Sequence, residues 1–177
     1  MGKHSNFLRR KHDQYFTPEK PVFSLVPYLP QDTFTFIEPC AGDGRLVCHL
    51  ERNTSGVCVG AYDIDPKPGD FHVRSGDAFD PVDVSVDFFI TNPPWTRQIL
   101  HPMIIHLSDM KPTWLLFDGD WLFTKQAKPY LPRLKKVVAV GRVSWMENGT
   151  SGKDNAAWYL FDRGNNQQTE FYGKDAA

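Results

Sequence analysis

Residues 91–95 are Thr-Asn-Pro-Pro-Trp, directly behind the apolar run VDFFI at 86–90. Proline has no N–H to give a sheet ladder, and it pushes the residue before it out of the helical region. A strand over 86–91 must therefore stop in a stiff, extended turn. Such a turn fixes the direction of the Asn92 side chain and of the backbone carbonyls beside it. The Asn92 amide oxygen and the Pro93 carbonyl then form two fixed acceptors, suited to the two N–H groups of an aromatic amine. Drawing that nitrogen toward tetrahedral geometry frees a lone pair otherwise delocalised into the ring. The same dipoles would stabilise the positive charge that develops there. Pro94 stiffens the turn, and Trp95 adds a face on which a base could stack. Taken alone, the pattern is equally that of a plain strand terminator.

A second cluster lies upstream. FIEPCAGDGRL at 36–46 has the order strand, glycine turn, helix. Gly42 and Gly44 permit backbone angles and a close approach that a side chain would block, and the turn opens at a helix N-terminus. Asp63 follows Gly42 by 21 positions, at the end of the next strand, where an acid receives ribose hydroxyls in a dinucleotide-type site. Val47 stands where a third glycine would complete G-x-G-x-x-G, which disfavours a nicotinamide cofactor. Asp77, in SGDAF at 75–79, follows a third strand within reach of an adenine amino group. Three such pieces at three successive strand ends favour an adenosine-containing ligand.

The elements that must position these residues are strands at 33–38, 57–63, 71–75, 86–91, 113–118, 136–146 and 155–162. Helices are expected at 18–29, 44–53 and 97–108, with a shorter one near 121–131 interrupted by Pro129 and Pro132. Alternation of strand and helix predicts an α/β fold with a mostly parallel, seven-stranded sheet and trimmed helices. The last two strands meet across ENGTSGKD at 147–154, a long hairpin that adds one antiparallel strand. The expected organisation is a basic arm over 1–12, one domain over 13–165 and a tail over 166–177.

The chain has 177 residues and a net charge of −1, so it is long enough for one real core and carries no global nucleic-acid signature. Cys40, Cys48 and Cys58 are odd in number and lack C-x-x-C spacing, which argues against a disulfide framework or a zinc site and for a reducing cytoplasm. No apolar run reaches the length of a membrane span.

Taken in order, EPCAGDG, YDID, SGDAF and TNPPW closely resemble the motifs of class I S-adenosylmethionine-dependent amino-methyltransferases, the DNA adenine-N6 and cytosine-N4 enzymes and their RNA and protein relatives. QYFTP at 14–18 resembles the segment that folds over the methionine end of the cofactor. GRVSWMENGTSGKDNAAWYLF is similar to the closing hairpin of small phage adenine methyltransferases. The resemblance spans residues 14–162 and implies a Rossmann-like fold and S-adenosylmethionine as cofactor. It implies that Glu38 meets the methionine amino group and that Tyr15 and Thr17 meet its carboxylate side. Asp63 would hold the ribose and Asp77 the adenine, with Cys40, Gly42, Gly44, Ile64 and Ala78 completing the cofactor site. Ala78 stands where relatives often place a bulky residue.

The implied function is methylation of an exocyclic amine of a nucleic-acid base, adenine N6 in DNA, in a bacterial or phage-infected cell. Cytosine N4, RNA adenine, protein glutamine and a catalytically silent nucleic-acid-binding subunit stand as alternatives. Ser more often replaces Asn92 in the cytosine enzymes, and Tyr replaces Trp95 in the glutamine enzymes. No metal is required. A nucleophilic role for Cys40 is rejected, since it lies in the cofactor turn. Asn92 is expected to touch only the target amine. His49 and His106 sit on helices as ordinary packing residues, while Asp118 and Asp120 are candidates to line the pocket. Substrate contacts are expected from Trp95, Lys153 and Asn155, and from Lys3, Arg9, Arg10 and Lys11 of the arm. So small a recognition surface implies low or short sequence specificity, or target recognition by a protein partner.

Overall fold

Along β5 (Thr113–Asp118), successive side chains sort to opposite faces. Trp114 and Leu116 join one hydrophobic cluster, and Leu115 and Phe117 join another. A strand buried on both sides must lie at the centre of a sheet covered by two layers. The computed structural model describes residues 15–80, 85–145, 152 and 154–174. Its other strands are β1 (Phe34–Glu38), β2 (Gly56–Asp63), β3 (Arg74–Ser75), β4 (Phe88–Thr91), β6 (Leu134–Arg142), β7 (Asn155–Phe161) and β8 (Glu170–Tyr172). They form one sheet in the order β3-β2-β1-β4-β5-β7-β6-β8. β7 runs antiparallel to both β5 and β6, and every other pairing is parallel.

Among the described residues, three α-helices cover the sheet: α1 (Glu19–Leu25), α2 (Arg45–Asn53) and α3 (Arg97–Met110). α1 and α2 bury Val22, Leu25, Leu46, Val47 and Leu50 in the first cluster, while α3 buries Leu100, Met103, Ile104 and Leu107 in the second. The chain turns outward from β1 to β2 and β3 on one side and to β4 and β5 on the other. Strand order therefore reverses at β1, and the crevice at the carboxyl ends of β1 and β4 is where such a sheet accepts ligands.

The sheet has eight strands, one more than the periodicity predicts. β8 comes from the expected tail, whose boundary is thereby corrected. It is three residues long, too short to show a pattern, and it pairs with Lys136–Val138 through the backbone. Side chains reinforce it, with Lys136 3.3 Å from Glu170 and the Tyr172 ring centroid 4.3 Å from that of Tyr28. The helix expected near 121–131 is instead a pair of 3-10 segments, Gly119–Phe123 and Lys125–Arg133. Pro129 and Pro132 lack the N–H groups that a longer α-helix needs there. The strand expected at 71–75 shortens to Arg74–Ser75. Lys3, Arg9, Arg10, Lys11, Asn148 and Lys153 lie outside the described residues.

The second cluster is densely aromatic. Phe117 stacks on Tyr159 with centroids 4.2 Å apart and meets Trp121 edge-on at 5.1 Å. Tyr159 donates its hydroxyl to the carbonyls of Asp118 and Gly119, and Trp121 donates its indole N–H to His101 Nε2 at 3.0 Å. Phe117→Ala should therefore destabilise the fold by ~3–5 kcal/mol, read from equilibrium urea unfolding. A loss under ~1 kcal/mol would place the stabilising interactions elsewhere.

Candidate functional site at the carboxyl ends of β1, β2 and β4

The glycine turn after β1 is built by its own residues. Gly42 and Gly44 have φ of 59° and 79°, in the left-handed region. A Cβ on Gly44 would lie 2.6 Å from Phe71 Cβ. Asp63, at the end of β2, accepts from Gly42 N through Oδ2 and from Asp65 N through Oδ1, both at 2.8 Å. The acid that could receive a ribose also ties the β2 end to the glycine turn, and each of its oxygens keeps a lone pair for a ligand.

The turn and the ends of β2 and β4 surround a cavity of about 210 Å³. Of the residues singled out from the sequence, Tyr15, Thr17, Glu38, Cys40, Gly42, Asp63, Ile64, Asp77, Ala78, Asn92 and Pro94 line it. Pro93, Trp95, Gly44, Asp118, Asp120 and Asn155 are not in the lining. Gly44 instead serves as the left-handed N-cap of α2. Asn155 opens β7 beside Gly119. Phe16, Arg45, Phe79, Ile99 and Met103 also line the cavity, and sequence reasoning missed them. Phe16 and Phe79 are each adjacent to a named residue. Ile99 and Met103 show only the helical spacing of a core face.

Charge is unevenly satisfied. Glu38, Asp43 and Asp63 are all buried. Asp43 is paired with Arg45 Nε at 2.9 Å. Among the described residues, Glu38 Oε2 has no hydrogen-bond partner. Burial first, then the nearby Asp63 and Asp43 charges, holds the Glu38 carboxyl well above the usual carboxylate range, against the opposing Val47 N–H. A ligand that brings positive charge to this wall would supply what the protein lacks. Another end of the cavity is apolar, with Ile64, Phe79 and Ile99 substantially exposed. Asp77 stands at this end, its Oδ1 accepting from Phe79 N at 3.0 Å. The residues present thus fit a cationic, adenosine-containing group.

Burial also pushes the Cys40 thiol far above its ordinary range, with Asp63 and Glu38 adding to the shift, so it is held as the thiol. Its Sγ lies 3.9 Å from Met103 Sδ. His49 and His106 are partly buried helix residues outside the lining. No group of His, Cys, Asp and Glu side chains suited to a metal ion occurs among the described residues, and none of their helices is long and apolar enough to cross a membrane.

The Asn92 amide is engaged within the protein, against the expectation that it touches only a target amine. Its Nδ2 donates to Tyr15 O and Thr17 Oγ1, both at 3.1 Å, and its Oδ1 accepts from Trp95 Nε1 at 3.2 Å. A pure acceptor on one side and a pure donor on the other permit a single amide orientation. Asn92 therefore clamps the segment over the cavity to the turn after β4. Trp95 Nε1 also donates to Leu116 O, and the ring meets Trp145 edge-on with centroids 5.6 Å apart. Its indole is thus bound into the support of the turn as well as partly accessible.

No protein-family model and no curated protein sequence matches this chain. Solved structures do. A Pyrococcus horikoshii protein assigned as an RNA methyltransferase has a TM-score of 0.63 at 15% identity, over 90% of this chain and 92% of that one. A Listeria monocytogenes protein assigned to the class I S-adenosylmethionine-dependent methyltransferases has a TM-score of 0.62 at 10% identity, over 97% and 68% of the two chains. The type I restriction-modification methyltransferase subunit of Streptococcus thermophilus has a TM-score of 0.62 at 9% identity, over 90% of this chain and 47% of the subunit. This chain thus spans about half of that subunit. Its fold is the Rossmann-like fold of class I methyltransferases.

The raised Glu38 pKa sets a pH dependence. The folded state holds this proton more tightly than the unfolded chain, so the contribution is complete below about pH 4.5 and declines as pH rises toward the folded value. Glu38→Gln keeps the shape and removes the ionisation. In the ligand-free protein it should raise the urea midpoint at pH 7 while leaving that at pH 4 nearly unchanged. Equal shifts at both pH values would show that Glu38 does not titrate as its burial requires.

Proposed function

We propose that this chain is an S-adenosylmethionine-dependent methyltransferase acting on the exocyclic amine of a nucleic-acid base, adenine N6 in DNA. The observation that carries the proposal is a cavity lined both by Glu38, one of whose buried carboxyl oxygens has no partner among the described residues, and by Asn92 of the Asn-Pro-Pro turn. Neighbours described as an RNA methyltransferase and as a restriction-modification methyltransferase subunit support a nucleic-acid substrate.

When bound, S-adenosylmethionine supplies an electrophilic methyl group on a sulfonium and departs as a neutral thioether. Glu38 would take the methionine ammonium, whose charge draws the buried carboxyl back to its ionised form. Asp63 would accept the ribose hydroxyls, and Asp77 the adenine amino group. Phe16 covers the glycine turn from the lid side, where a Cβ on Gly42 would meet its ring at 3.1 Å. The free lone pair of Asn92 Oδ1 and the Pro93 carbonyl would accept from the target amine. They thereby align its lone pair with the methyl carbon and stabilise the charge on nitrogen as the new C–N bond forms. The methylated amine then gives its extra proton to water.

Asn92→Ala should lower turnover by ~10²–10³, by analogy with loss of one preorganised donor in an oxyanion hole. Because Asn92 also holds Tyr15 and Thr17, its loss should weaken cofactor binding too. Thr17→Val removes the hydrogen bond from Asn92 and any hydroxyl contact with the methionine end, so it should raise the cofactor Kd while leaving turnover at saturating cofactor close to wild type. Methylation assays with separate DNA, RNA and protein acceptors, digested to nucleosides or residues, identify the product. Near wild-type turnover in Asn92→Ala would reduce the turn to a strand terminator.

Asp63→Ala should weaken S-adenosylmethionine roughly tenfold to hundredfold, through the ribose contact and the loosened glycine turn. Calorimetry tests this, and no binding by the wild type would end the proposal.

A further inference from the structure

Phe123 is 85% exposed, the most exposed of the large apolar side chains described. It closes the 3-10 segment Gly119–Phe123, which leaves the carboxyl end of β5, the neighbour of the strand that Asn92 follows. The position is not slack. Thr124 donates to Trp121 O through both its N–H (3.0 Å) and its hydroxyl (2.8 Å), and Trp121 is anchored in the core through His101. The backbone thus presents Phe123 to solvent on a fixed turn, although burying the ring would be favourable.

The surroundings are basic. Residues 121–136 contain Lys125, Lys128, Arg133, Lys135 and Lys136 and no acidic residue. Arg133 pairs with Asp109, Lys135 with Asp162 and Lys136 with Glu170. Lys125 and Lys128 are exposed and form no ion pair among the described residues. Arg97, two residues beyond Trp95, hydrogen-bonds Gln126 and so holds this basic segment against the start of α3, beside the Asn92 turn. The acids at the sheet end, Asp118 and Asp120, precede Phe123. Asp118 is partly buried, and desolvation first raises its pKa, against the opposing Asp120 N–H.

We propose that Phe123, Lys125 and Lys128 form a strand-binding edge. The Phe123 ring stacks on a base next to the target nucleotide, and the two lysines neutralise phosphates of the same strand. An exposed aromatic beside unpaired lysines has the two chemistries a polynucleotide strand offers, a π-face and a phosphate. This deepens the proposed function and rests on it. It adds the chain after β5 to the recognition residues expected from the sequence alone, those at 147–154 and the basic ones near the N-terminus.

The test is fluorescence anisotropy with a labelled mixed-sequence oligonucleotide, single-stranded and duplex, over a range of salt concentrations. Cofactor calorimetry on every variant reports on the cavity. Phe123→Ala should weaken single-strand binding roughly fivefold to hundredfold, and Phe123→Trp should restore it. Lys125→Ala with Lys128→Ala should reduce the slope of log K against log salt by roughly 1.4, about 0.7 for each single-strand phosphate that is no longer neutralised. Cofactor affinity should stay unchanged in all three. If the wild type binds the oligonucleotide and the variants bind it equally well, this edge does not touch the strand and the proposed function stands. If the wild type binds no polynucleotide even at low salt, the nucleic-acid reading falls, and this edge with it.

Discussion

One side-chain amide joins the two working parts of this protein. Asn92 belongs to a turn that two prolines stiffen, and its three hydrogen bonds reach Tyr15, Thr17 and Trp95. The first two lie more than seventy positions upstream, on the segment that covers the cavity. The third draws in an indole whose N–H also engages the β5 backbone at Leu116. Covering the cavity and aiming the turn are consequently a single structural event. A substitution at Asn92 has to be interpreted as a change in both.

The buried acids pose the complementary constraint. Three carboxylates lie within the wall formed by β1, the glycine turn and β2, and only Asp43 has a salt-bridge partner among the described residues. Asp63 is held by two backbone N–H groups. Glu38 has one unpartnered oxygen at almost complete burial. An unpaired buried polar atom is costly, and a ligand that completes it removes that cost. The local instability and the proposed affinity for a cationic cofactor are thus two sides of the same arrangement. The apolar end formed by Ile64, Phe79 and Ile99 is unfavourable for a different reason, the contact of apolar surface with water.

On the proposed function, recognition of a nucleic-acid strand would come from outside this wall. β4 and β5 deliver the Asn92 turn and the 119–123 segment to the same edge of the sheet, and Arg97 joins α3 to the basic segment that follows. Trp95, which the sequence offered as a stacking platform, is partly committed to supporting the turn. Phe123 has no such commitment. The division follows from position: Trp95 sits where α3 must start against the sheet, whereas Phe123 sits on a turn beyond it.

Features governed by short-range chemistry were legible in the sequence. The Pro-Pro stop, the two glycines of the turn and the period-two strands place Glu38, Asp63, Asp77 and Asn92 at strand ends without reference to the rest of the chain. The single reversed strand followed from two strands in succession with no helix between them. Tertiary structure alone decided what depends on residues far apart in sequence. β8 is stable only because the β6 edge and Tyr28 receive it. Phe16 and Met103 reach the cavity because sheet order brings their elements together. The orientation of the Asn92 amide and the raised pKa of Glu38 are set by neighbours up to 77 and 25 positions away, respectively. Periodicity and turn chemistry are properties of a few adjacent residues, whereas burial, charge coupling and hydrogen-bond partnership exist only once the sheet has assembled.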